Sequence, residues 1–143
     1  MNDVELRDEI FLQHEELREL AKLVKAAADN ATSSPDALLE LRIMLDNLAD
    51  ELLEHNHFEE RALAALLPEI DGWSPERDLR VAEHHAAEHA AIFATLASVR
   101  EQCDASALAA EALDVLAYLG SHMALEEREL VRGTGARPTN GEA

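Results

Sequence analysis

The chain has 143 residues, enough for one domain whose core needs neither disulfides nor a structural metal. Its 12 basic and 30 acidic side chains leave a formal net charge of −18, which repels phosphate backbones and anionic lipids and argues against nucleic acid or membrane partners. No uncharged apolar stretch is long enough to span a bilayer.

The apolar residues are mostly Ala and Leu, aromatics make up only 3%, and β-branched runs are almost absent, so helices are expected and strands are not. In chain order, the first amphipathic segment carries Ile10, His14, Leu17, Ala21, Val24 and Ala28 on one face. It ends in the polar stretch Asp29 to Pro35, where Ser33 or Ser34 before Pro35-Asp36 makes a helix start. The second segment carries Leu38, Leu41, Leu45, Leu48, Leu52, His55, Glu59, Ala62 and Leu66. A break from Pro68 to Pro75 follows, containing Trp73 as a hydrophobic plug, and Ser74-Pro75-Glu76-Arg77 starts the third helix. That helix carries Ala82, His85, His89, Ile92, Leu96 and Val99. After a weaker break at Cys103 to Ser106 the fourth carries Leu108, Ala112, Val115, Leu119, His122 and Glu126. Steps alternating between three and four are the seam of a helix bundle, and short connections favour antiparallel neighbours. The expected fold is all-α, an antiparallel up-down-up-down four-helix bundle over residues 1–131, with a flexible tail over 132–143. The single Cys103 forms no intrachain disulfide, and Met1-Asn2-Asp3-Val4-Glu5 has no signal-peptide character. A cytoplasmic protein is therefore expected.

Polar residues interrupt these seams. His14, His55, Glu59, His85, His89, His122 and Glu126 stand where Leu or Ala belongs, at least one on every helix. Burying an unpartnered carboxylate or imidazole costs several kcal/mol, roughly what a small domain has to spare, so the seven must satisfy one another or share an ion. Two stretches repeat one pattern, His-x-x-x-Glu-Glu-Arg-x-Leu, at His55 to Leu63 and at His122 to Leu130. Between them His85 and His89 lie four apart, as the His and first Glu of each repeat do, which places both ligands of a pair on one helix face. Each doublet, Glu59-Glu60 and Glu126-Glu127, leaves a choice of carboxylate; the first lies on the seam and is preferred. His57 faces away from the seam, His84 is a flank residue or an outer partner, and Tyr118, one turn before His122, is assigned to packing.

His14, His55-x3-Glu59, His85-x3-His89 and His122-x3-Glu126 together resemble the hemerythrin-like, or HHE cation-binding, family of four-helix bundles, from about Glu5 to Leu130. The resemblance implies a non-haem di-iron centre with an oxo or hydroxo bridge. His14 and His55 would serve one iron, His85, His89 and His122 the other, and Glu59 and Glu126 would bridge them. This set fills all but one of the positions that two six-coordinate irons offer, and the open one falls on the iron with two histidines. Invertebrate oxygen carriers of the family have an Asp five residues after the last His and shorter loops, so the chain is more similar to the bacterial hemerythrin-like group. The expected function is binding of O2, peroxide or nitric oxide at the open position, for storage, sensing or detoxification. If the protein is an enzyme, it is a peroxide- or nitric-oxide-consuming oxidoreductase. The alternatives are an iron uptake and oxidation protein, or a structural bundle holding zinc.

Overall fold

The structure, a computed structural model, describes residues 2–66 and 75–135, with the side chains of 75–79, 81–82 and 132–135 left aside. Within it lie four helices: α1 (Asp3–Asn30), α2 (Pro35–Leu66), α3 (Pro75–Arg100) and α4 (Ala105–Gly135). Among the described residues there is no strand.

Local chemistry sets the helix ends. Asn2 caps α1 reciprocally: its Oδ1 accepts from the Glu5 N–H at 2.9 Å, and Glu5 Oε1 accepts from the Asn2 N–H at 2.8 Å. Ser34 caps α2, accepting from the Ala37 N–H at 3.0 Å and leaving Pro35 in the first turn, where its missing N–H costs nothing. Asp104 caps α4 through the Ala107 N–H at 2.9 Å. At the other end of the α3–α4 connection, Arg42 of α2 donates to the carbonyls of Arg100 at 3.1 Å and Gln102 at 2.8 Å. These are carbonyls that a helix terminus leaves without an internal partner. α3 begins at Pro75 as its sequence requires; Ser74 and Trp73 lie outside the described residues. α4 continues to Gly135, past the expected boundary at 131, and residues 136–143 of the expected tail lie outside the described residues.

Each helix packs on the next around the bundle, α1 on α2, α2 on α3, α3 on α4 and α4 on α1, with a smaller diagonal contact between α2 and α4. Cross-contacts show the neighbours running antiparallel. Gln102 just beyond α3 meets Glu111 early in α4, whereas Glu88 midway along α3 meets His122 in the second half of α4.

The four seams point inward as their periodicity demands, apart from Ala82, whose side chain lies outside the description. Leu41, Leu45, Leu48, Leu108 and Ala112 are fully buried; Ala21 and Leu38 are half-buried. Among the described residues, apolar side chains form two separate clusters. The larger holds Leu17, Val24, Leu41 to Leu52, Ile92 to Val99 and Leu108 to Met123, with Leu20 and Phe93 packed against it. The smaller, at the opposite end, holds Ile10, Ala62, Leu63, Leu66 and Leu130, with Phe58 beside it, while Leu53 is exposed. A polar layer separates the two clusters.

Candidate metal centre

That layer is built of the seven seam-breaking residues. His14, His55, Glu59, His85, His89, His122 and Glu126 are all buried, none more than 7% exposed. One ligand atom from each of Glu59, His85, His89, His122 and Glu126 falls within 4.8 Å of the others. The same holds for His14, His55, Glu59 and Glu126, so the two sets share both carboxylates. His55 Nε2 is 3.1 Å from Glu59 Oε2, His89 Nε2 is 2.9 Å from Glu59 Oε1, and His122 Nε2 is 3.0 Å from Glu126 Oε2. His14 Nε2 stands between the two carboxylates, 3.4 Å from Glu59 and 3.3 Å from Glu126. His85 differs in presenting Nδ1, 2.7 Å from Glu126 Oε2.

The doublets divide their labour. Glu59 and Glu126 enter the cluster, whereas Glu60 and Glu127, one step (about 100°) round the helix, reach the histidine of the next helix. Glu60 Oε2 of α2 accepts from His89 Nδ1 of α3 at 3.1 Å, and Glu127 Oε2 of α4 accepts from His14 Nδ1 of α1 at 2.7 Å. Glu127 is itself held by Arg18 Nη2 at 2.8 Å. Two further links close a ring. Glu88 Oε1 of α3 lies 2.9 Å from His122 Nδ1 of α4, off the line of the N–H, and Gln13 Oε1 of α1 accepts from His55 Nδ1 of α2 at 2.8 Å. Each helix thus steadies a histidine of the next, and each steadying residue is a sequence neighbour of a cluster residue. His84, exposed, joins the outer end of this chain, 3.3 Å from Glu88. Seam periodicity does not reveal Gln13, Glu60 or Glu88 as partners; each is adjacent to a cluster residue, His14, Glu59 or His89, and Glu60 also belongs to a repeated Glu-Glu doublet. His57 is exposed, and Tyr118 is half-exposed in a groove between α3 and α4 with Ala91, Ile92 and Thr95.

Accepting carboxylates keep the proton on Nδ1 of His14 and His89, so their Nε2 lone pairs face Glu59 and Glu126, which are acceptors too. Acceptors facing acceptors need positive charge between them. His14 Nε2, Glu59 Oε2, His85 Nδ1, both ring nitrogens of His122 and both oxygens of Glu126 are buried with no hydrogen-bond partner. Without a metal ion, protons take that place. Burial pulls the His14 imidazole down, but Glu126, Glu59 and Glu127 outweigh it and raise it to about 9. His85 and His89 likewise rise to about 10, burial being overcome by Glu126 with Glu129 and by Glu126 with Glu59. Burial and Glu126 push Glu59 up, and His14, His55 and His89 bring it below the usual carboxylate range. Glu126, also pushed up by burial, is held below that range by Glu59, His122, His14 and His85. The donor set of imidazole and carboxylate without thiolate suits iron, manganese or zinc.

Four antiparallel helices around a buried layer of imidazoles and carboxylates define a cation-binding bundle. The hemerythrin HHE cation-binding domain matches residues 5–132, and the chain belongs to that family. Comparison with curated proteins and with solved structures gave no match. Among the described residues no helix is long and apolar enough to cross a membrane.

Proposed function

We propose that the protein is a non-haem di-iron bundle that binds O2, peroxide or nitric oxide, in storage, sensing or detoxification. The observation that carries this reading is the pair of overlapping ligand sets that share Glu59 and Glu126, an arrangement suited to two ions rather than one. Glu59 and Glu126 would bridge; His85, His89 and His122 would hold one ion, and His14 with His55 the other. Iron held there supplies reversible electron exchange with a small oxidant. The unequal division of histidines leaves the His14/His55 ion one protein ligand short, which is what distinguishes a reactive site from a closed structural one.

The chain's own residues set the conditions. Leu17, Leu52, Ile92 and Leu119, each at most 2% exposed, form the apolar layer above the cluster, and Ile10, Leu63 and Leu66 belong to the one below. Together they keep bulk water from the site. The ring of Gln13, Glu60, Glu88 and Glu127 holds the imidazoles in place.

A second reading, iron uptake and oxidation, is favoured by a cleft of about 620 Å³ between α1 and α2, whose walls carry Glu9, Glu16, Glu51 and Glu54 and reach His55. The deciding experiment is metal analysis of protein purified without added metal, beside its absorption spectrum before and after reduction. Two irons per chain with near-ultraviolet bands that bleach on reduction and return in air support the first reading. Iron that accumulates beyond that ratio supports uptake, and stoichiometric zinc without colour leaves a structural bundle.

A further inference from the structure

Three links of the interhelical ring end on a carboxylate and one does not. His14, His89 and His122 face Glu127, Glu60 and Glu88, whereas His55 faces the amide of Gln13. The orientation of that amide is determined by its other neighbour. Glu9 Oε2 accepts from Gln13 Nε2 at 2.9 Å, so the amide oxygen turns to His55 and the His55 proton sits on Nδ1. A carboxylate on the far N–H makes the inward ring nitrogen more basic and a stronger ligand; an uncharged amide does so less. His55 is therefore a weaker donor than His14 and His89, whose far N–H groups meet carboxylates, and it belongs to the set with fewer ligands. It also borders solvent, because the α1/α2 cleft is lined by Gln13 and His55 themselves.

Resting on the di-iron reading, we propose that Gln13 makes the ion between His14 and His55 the exchangeable half of the pair. That ion is loaded and lost through the α1/α2 cleft, while the ion among His85, His89 and His122 is retained. Gln13 is a positioning residue that acts on the ion through His55. Glu9, Glu16, Glu51 and Glu54 outweigh Arg61 in the lining of the cleft and supply an attractive potential for a divalent cation on its way in.

The test is anaerobic loading with ferrous iron, a count of bound iron, then excess ferrous chelator with the coloured complex followed in time. Two irons per chain released in two phases of equal amplitude are expected. Gln13→Glu is expected to slow the fast phase by about tenfold or more and leave the slow one alone, whereas Glu60→Gln accelerates the slow phase. Circular dichroism checks that both variants keep their helicity. Release in a single phase, or a fast phase unchanged in Gln13→Glu, overturns the proposal and leaves the di-iron reading standing. If Gln13→Glu loads poorly, Glu60→Gln decides, and an unaltered slow phase then overturns the proposal. A chain that loads only one iron overturns both.

Discussion

At the scale of single residues the site is a problem of charge. Glu59 and Glu126 lie in a layer from which water is excluded, and the imidazoles around them turn lone pairs toward them. Protons or metal ions resolve the repulsion, and the two compete. Metal loading at neutral pH therefore releases protons from His14, His85 and His89, whose values of about 9 and 10 keep them charged in the metal-free protein. Apparent metal affinity is expected to rise with pH from 6 to 9, with protons appearing in weakly buffered titrations; a pH-independent affinity contradicts the assignment. Stability of the metal-free protein carries the opposite sign. The raised imidazoles contribute stability fully present below their unfolded value of 6.5 and lost as pH rises through about 9 to 10. The lowered carboxylates contribute stability present above 4.5 and lost as pH falls. Denaturation of the metal-free chain should show greatest stability between about 4.5 and 6.5, a decline above that range, and no such decline once metal replaces the protons. Substitution reads the same site directly. His55→Leu and His89→Leu each remove one proposed ligand while restoring the residue type the seam expects, so bound metal is expected to fall by about half or more with helicity retained. Unchanged metal content in both variants refutes the ligand set.

Helices α2 and α3 show how an element is held at a distance from the site. Arg42 donates to the carbonyls of Arg100 and Gln102, at and just beyond the end of α3, and Arg100 pairs with Asp46 at 2.8 Å. The two arginines fasten the end of the bundle remote from the cluster. Arg42→Ala is expected to cost about 1–2 kcal/mol in urea denaturation while metal content stays the same, since charged hydrogen bonds are lost but no ligand moves. An equal loss of metal would mean that the position of α3 is controlled from this end. The helix starts were readable in advance where a side chain acts on its own neighbours, as Ser34 and Pro35 do. Arg42 was not, because its acceptors lie across the bundle in the α3–α4 connection.

For the whole molecule, the polar layer divides one core into two unequal parts. Among the described residues the cluster of Ile10, Ala62, Leu63, Leu66 and Leu130 is small, and the His/Glu layer lies between it and the larger core. Metal removal is expected to weaken the joint at that layer. Amide exchange is expected to quicken in residues 6–14, 55–66 and 122–130 on metal removal, while 41–48 and 108–119 keep their protection. Uniform loss of protection would show the bundle to be a single cooperative unit.

By itself the sequence determined the helices, their seams and the identity of the residues that break those seams. Periodicity and capping are local properties, and seven polar groups on apolar faces announce a shared site wherever the helices lie. Only the tertiary structure decided which member of each glutamate doublet faces inward, and that Gln13, Glu60, Glu88 and Glu127 brace the histidines in a ring. A residue one step off the seam points to a neighbouring helix. Which neighbour it meets, and at what level, follows from how the four helices pack against one another.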